Sequence, residues 1–236
     1  MQNKEFNVDT LVVHGNKSYE EKTGAISFPI YQSATFRHPN FNESTGYDYS
    51  RQQNPTREEV ECVVANLEKG IRGFGFSSGM AAITTVLTLF RPKDHIVVSE
   101  DLYGGTYRIF EEVFKNYGLE FTYVDTSNID SVKEVIQENT VAIYIETPSN
   151  PMMRVTDIRE ISNIAQEINA LLIVDNTFLT PYYQRPLQLG GDIVVHSGTK
   201  YLGGHNDTLA GFLVVKDEKL AAQIEQIGRA SCRERE

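Results

Sequence analysis

The sequence predicts an α/β protein built on a mostly parallel sheet, with helices on both faces and an irregular N-terminal arm. Two observations carry this. Short apolar runs alternate with segments of helical period from about residue 56 onward, the pattern of βα units. The runs are apolar at successive positions rather than at every second one, as in strands covered on both faces. A length of 236 residues allows one large domain with an arm and an ample core.

Residues 1–55 show little regular patterning. They carry Phe6, Tyr19, Phe28, Tyr31, Phe36, Phe41, Tyr47 and Tyr49, with prolines at 29, 39 and 55. So long an irregular stretch is unusual inside a compact domain, and so many aromatics argue for burial against something, such as another subunit. Thr56 and Glu59 then form a capping-box pattern directly after Pro55. Val60, Val63, Val64 and Leu67 repeat at helical spacing, with Cys62 beside them as a small buried residue, and Gly70 is placed to close the helix. Gly73–Phe76 reads as a strand. The segment from Met80 to Phe90 is apolar on most sides and reads as a buried helix. The uncharged stretch Gly73–Phe90 has the length of a membrane span, but its glycines and hydroxyl residues fit a strand, a turn and a helix better.

A strand is predicted at Ile96–Val98, then a helix through Ile109, Phe110, Val113, Phe114 and Tyr117 that Gly118 stops. Phe121–Val124 reads as a strand, and Asp130 is placed to cap a short helix carrying Val132, Val135 and Ile136. Val141–Ile145 is a strand. Asp157 and Glu160 open a helix with Ile158, Ile161, Ala165 and Ile168 inward. Leu171–Val174, Ile193–Val195 and Gly211–Val215 complete the strands, and Leu220–Ile227 reads as a last helix. Residues 228–236 show no apolar periodicity, and from Ile227 to Arg235 they resemble a translated sequencing adapter. The expected organisation is therefore an arm over 1–55, a ligand-binding domain over 56–227 and a non-native tail over 228–236, with the natural chain continuing past 227.

The formal charge of −10 opposes non-specific binding to nucleic acid or anionic membrane. Two cysteines, Cys62 and Cys232, do not make a disulfide framework and fit a reducing cytoplasm. Residues 1–20 hold no apolar signal-peptide core.

Ligands of open parallel sheets bind beyond the carboxyl ends of the strands. Ser77-Ser-Gly-Met80 follows the first predicted strand. Glu146-Thr-Pro-Ser-Asn150, Asp175-Asn-Thr177 and His196-Ser-Gly-Thr-Lys200 follow three others, so four polar clusters are expected on one rim. Ser77-Ser-Gly permits close backbone approach at a helix start, where free N–H groups bind phosphate. Ser197 and Thr199 add hydroxyls and Lys200 an amine. A P-loop is missing, and Gly73-Phe-Gly75-Phe-Ser-Ser78 has serine where a dinucleotide fingerprint has its third glycine. Asp175 at a buried strand end needs a cationic partner, which a protonated pyridine nitrogen would supply. Lys200, partly desolvated, would form a Schiff base. Together these describe a pyridoxal phosphate site. His196 and His205 have no partners at metal-ligand spacing and read as structural, so no metal site is expected.

The motifs resemble the Cys/Met-metabolism (trans-sulfuration) pyridoxal-phosphate enzymes, over roughly residues 10–227. Ser197-Gly-Thr-Lys-Tyr-Leu-Gly-Gly-His-Asn-Asp207 is the most specific. It is supported by Tyr49-Ser-Arg51-x-x-Asn54-Pro-Thr-Arg57, Ser77-Ser-Gly-Met-Ala-Ala82, Asp101-Leu-Tyr-Gly-Gly-Thr-Tyr-Arg108, Glu146-Thr-Pro-Ser-Asn-Pro151 and Val174-Asp-Asn-Thr-Phe178. The resemblance implies a fold type I (PLP-dependent transferase-like) large domain. It implies that Lys200 carries the cofactor as an aldimine and moves protons, and that Asp175 pairs with the ring nitrogen. It further implies that Ser78, Gly79, Met80, Thr177, Ser197 and Thr199 surround the cofactor and its phosphate, that Tyr103 stacks on the ring and acts catalytically in proton transfer, and that Asn150 contacts the ring hydroxyl. Tyr49 and Arg51 would reach the phosphate of a neighbouring subunit, making a dimer the minimal unit and a dimer of dimers the full assembly.

The resemblance also implies a sulfur-containing amino-acid substrate. Gly105, where some methionine γ-lyases carry cysteine, favours cystathionine γ-lyase or γ-synthase chemistry over β-lyase or methionine γ-lyase chemistry. Family members are longer and supply a substrate-binding arginine from a C-terminal domain. A non-catalytic cofactor-binding fragment is thus the alternative for these 236 residues, and a nucleotide-binding α/β protein a weaker one.

Overall fold

The computed structural model describes residues 7–15 and 19–230, the side chains of 228–230 excepted. Phe6, Cys232 and residues 231–236 of the expected tail lie outside the described residues.

Seven strands form one sheet: β1 (Arg72–Phe76), β2 (His95–Ser99), β3 (Glu120–Val124), β4 (Thr140–Glu146), β5 (Leu171–Asp175), β6 (Ile193–Ser197) and β7 (Gly211–Val215), in the order β1-β7-β6-β5-β4-β2-β3. The pairs β2–β3, β2–β4, β4–β5 and β5–β6 are parallel, while β7 runs antiparallel to both β6 and β1. The expected α/β fold with a mostly parallel sheet is what the chain adopts.

Helices cover both faces, as the continuous apolar strands require. On one face Phe74, Val98, Tyr144, Ile173, Val195 and Leu213 pack under α3 (Gly79–Leu87) and α8 (Glu218–Ala230). Beside them lies α4 (Gly104–Ile109), which continues as a π-helical turn over Phe110–Phe114. On the other face Val97, Ile143, Leu172 and Val174 meet Val132 of α5 (Ile129–Glu134) and Ile158, Ile161 and Ala165 of α6 (Ile158–Glu167). Val194 and Val214 there meet Val64 and Ala65 of α2 (Pro55–Glu68). Alternate residues of one strand therefore enter different cores.

Several local expectations are corrected. The cap of α2 is Asn54, whose side chain accepts from Thr56 N–H, and Pro55 takes the first helical position. The Thr56 hydroxyl instead accepts from Tyr31 N–H and donates to Pro29 O, tying the arm to the helix. Lys69, not Gly70, is the left-handed residue that ends α2. Gly70 is small because a Cβ there would meet Val214 at 2.3 Å. Cys62 is half-buried and Val60 exposed, since the inward face of α2 is centred on Glu61, Val64, Ala65 and Glu68. Asn128 rather than Asp130 caps α5.

α8 extends to Ala230, into the segment read as a tail, because a glycine at 228 costs a helix only about 1 kcal/mol. The arm contains an unforeseen short helix, α1 (Val8–His14), and two further turns were missed: α7 (Thr180–Tyr183) and a 3₁₀ turn at Pro186–Leu189. Among the described arm residues the aromatics are half-buried or exposed, Phe41 at 92%, and some pair with each other, as Phe36 does with Tyr47. No helix among the described residues is long and apolar enough to cross a membrane.

Candidate active site

The carboxyl ends of β4, β5 and β6 and the start of α3 open onto one cavity of about 530 Å³. Every site residue expected from the sequence lines it, except Tyr49 and Arg51. Those two lie together on the arm, the Arg51 guanidinium 5.4 Å from the Tyr49 ring centre.

The start of α3 has the form of an anion-binding helix N-terminus. Ser78 caps it, its hydroxyl accepting from Ala81 N–H at 3.2 Å. The N–H groups of Gly79 and Met80 fall in the first turn, where a helix has no carbonyl to offer them. A Cβ on Gly79 would lie 2.9 Å from Ser197 Cβ, so glycine is what lets the helix start abut the end of β6. Thr199 lines the cavity, and its hydroxyl is engaged with the backbone of Ala210, at 3.2 Å from N and 3.3 Å from O.

Asp175 ends β5 and is buried. Its Oδ1 accepts from Thr177 N–H at 3.0 Å and from the Thr177 hydroxyl at 2.5 Å. That hydroxyl accepts in turn from Ser197 N–H at 2.9 Å, so β6 holds the carboxylate through Thr177. The Tyr144 hydroxyl stands 3.5 Å from Oδ2. Burial raises the Asp175 carboxyl above its ordinary range; the Thr177 donors, and then His196, pull it back. No lysine or arginine among the described residues bonds to it.

Glu146 was quoted in a motif but not assigned to the site. It ends β4 directly opposite Asp175 in the parallel register and lines the same cavity. Its Oε2 accepts from Tyr103 N–H at 2.8 Å, fixing the residue that precedes α4. Burial, and next the negative charge of Asp175, push its carboxyl up to about 8. The signal was available, since both carboxylates end adjacent apolar strands, but pairing register is needed to see that they meet. Phe178, Tyr201, Asn206 and Leu209 also line the cavity without having been foreseen.

Tyr103 is half-exposed on the cavity wall, and Asn150 is half-buried. A Cβ on Gly105 would meet the Tyr103 ring at 2.4 Å, so that glycine makes room for the ring. Lys200 lines the cavity but is exposed, not desolvated as expected, because it stands on the turn after β6 rather than in the strand. His196 is buried against Glu68, and His205 is exposed with Nδ1 2.8 Å from Gly203 O. Among the described residues no three metal-ligating side chains cluster.

The donor set fits pyridoxal phosphate. A helix start with free N–H groups suits a phosphate, a buried carboxylate to which no lysine or arginine among the described residues bonds suits a protonated ring nitrogen, and a primary amine faces the same space. The family model for Cys/Met metabolism PLP-dependent enzymes matches residues 9–232. A cystathionine γ-synthase/O-acetylhomoserine (thiol)-lyase of Bacillus subtilis is 57% identical over 212 residues, covering 90% of this chain and 57% of that protein. A cystathionine β-lyase of Lactococcus lactis is 49% identical over 217 residues, covering 92% and 57%. The chain thus spans little more than half the length of these relatives. The crystal structure of cystathionine γ-lyase from Lactobacillus plantarum complexed with L-serine superposes with a TM-score of 0.93 at 47% identity, over 95% of this chain and 59% of that one. The fold is that of the type I PLP-dependent enzymes, and the chain belongs to the Cys/Met metabolism PLP-dependent enzyme family.

Proposed function

We propose that the protein is a PLP-dependent trans-sulfuration enzyme that acts on a sulfur-containing amino acid by cystathionine γ-lyase or γ-synthase chemistry. The observation that carries this is the convergence of Lys200, Asp175 and the start of α3 on one cavity. When bound, pyridoxal phosphate supplies an electron sink for negative charge developing at the substrate α-carbon. Gly79 and Met80 N–H groups with the Ser197 hydroxyl would hold its phosphate, Asp175 its ring nitrogen and Asn150 its ring hydroxyl.

Lys200 is both nucleophile and base: its Nζ takes the α-proton and, having passed that proton on, for γ-chemistry takes a β-proton, whose electron pair expels the γ-substituent. Thr177 orients Asp175, and Tyr103 walls the cavity. Tyr49 and Arg51, outside this cavity, are assigned to the cofactor phosphate of a second copy in a homo-oligomer, a dimer or a dimer of dimers. β-Lyase or methionine γ-lyase chemistry is the alternative on the same residues. The reading sets the protein in the cytoplasm, consistent with its two cysteines.

A second reading, for these 236 residues taken by themselves, is cofactor binding without turnover; they span 57% of the length of these relatives. Borohydride reduction in the presence of pyridoxal phosphate, followed by peptide mapping, tests the site. Label on the Lys200 peptide that disappears in Lys200→Ala supports it; unlabelled Lys200 refutes it for this chain. Turnover of cystathionine by the unreduced chain supplied with pyridoxal phosphate then separates enzyme from fragment.

A further inference from the structure

Beneath the cavity, on the opposite face of the sheet, lies a buried polar network that the chemistry above does not use. Glu68, at the end of α2, and His196, in β6, are both fully buried. His196 Nε2 lies 2.6 Å from Glu68 Oε1, which also accepts from Asn176 Nδ2 at 2.9 Å. Gln184 Nε2 donates to Asn176 Oδ1 at 2.9 Å and to Thr147 O at 3.0 Å. Glu68 Oε2 and His196 Nδ1 are left without hydrogen-bond partners among the described residues.

Such a pair is costly. A buried carboxylate with an unused oxygen is less favourable than apolar side chains of the same volume, so stability alone does not account for it. Its neighbours in sequence do. Thr147 follows Glu146, Asn176 follows Asp175, and His196 precedes Ser197. Adjacent strand residues point to opposite faces, so the network grips three strand ends from behind while their neighbours face the cavity.

We infer that Glu68 is a positioning residue for the cofactor cavity: through His196 and Asn176 it sets where β5 and β6 present Asp175 and Ser197. The inference rests on reading the cavity as a pyridoxal phosphate site. The His196 imidazole also acts on Asp175 electrostatically, favouring its ionised form against the effect of burial. The other groups facing Asp175 are Thr177, Tyr144 and Glu146.

The test uses the 236-residue chain with Glu68→Gln, which keeps size and an acceptor, and His196→Gln. Carboxyl ¹³C NMR of Asp175 is followed against pH without cofactor, pyridoxal phosphate affinity is read by absorbance and trapping on Lys200, and urea unfolding reports the fold. The expected result is an upward move of the Asp175 midpoint in His196→Gln and a loss of cofactor affinity of about tenfold in both variants. Should His196→Gln not fold, the affinity of Glu68→Gln decides. Trapping on the unmutated chain together with unchanged affinity in Glu68→Gln, even with a lowered urea midpoint, overturns the positioning role alone. No trapping on the unmutated chain overturns the cofactor reading on which it rests.

Discussion

Glu146→Gln isolates the least expected feature of the site, a second carboxyl beside Asp175. Glutamine keeps the size of the side chain and an oxygen that can accept from Tyr103 N–H, and it removes only the ionisation. Raising Glu146 from its ordinary 4.5 to about 8 corresponds to a ceiling of about 5 kcal/mol between the two protonation states. The folded value lies above the unfolded one. The contribution of the protonated carboxyl is therefore complete below about pH 4.5 and is lost as pH rises through about 8. Urea unfolding of the cofactor-free chain, followed by circular dichroism from about pH 5 to 9, reads this directly. The unmutated chain should lose stability across the window by up to a few kcal/mol, and Glu146→Gln should fall less steeply and be the more stable of the two at the alkaline end. Parallel curves would refute the reasoning, because they would mean that Glu146 ionises in the fold as it does in the unfolded chain.

Two further outcomes follow from the same geometry. Asp175→Asn should make the cofactor-free chain more stable at about pH 8, since an ionised carboxylate no longer has to be buried, while weakening pyridoxal phosphate trapping on Lys200. Urea midpoints and label yield measured on one preparation decide it, and a variant both less stable and fully labelled would count against the assignment. Asn54→Ala removes the cap of α2 and the donors to Tyr31 O and Ser50 Oγ. It should cost about 1–2 kcal/mol and speed limited proteolysis within residues 19–53; unchanged cleavage would show that the arm is held elsewhere.

Much of the fold was legible because it rests on local chemistry. Apolar runs such as Leu171–Val174 are strands buried on both faces. Asp157 caps α6 as its position suggests, accepting from Arg159 and Glu160 N–H. The rim residues were legible for a related reason. In a parallel sheet, whatever follows each strand must emerge at the same edge, so Ser78, Asn150, Asp175 and Lys200 were bound to meet once the strands were found. Caps were less secure. Thr56 and Asp130 carry capping side chains, but Asn54 and Asn128 win because Pro55 is suited to the first helical position and because the chain enters α5 earlier.

What the amino-acid order determined by itself is therefore the α/β class, the strands, the edge at which polar residues gather and the motifs that mark the family. What only the tertiary structure decided is which of those residues touch. Glu146 meets Asp175 through the register of β4 on β5, and Glu68 meets His196 across 128 residues of chain. Lys200 stands exposed on its turn, and the described arm aromatics are half-buried or exposed. Periodicity reports which way a side chain faces within its own element. Contacts between elements depend on register and packing, which no local pattern encodes, and the ionisation of the buried carboxylates follows from those contacts.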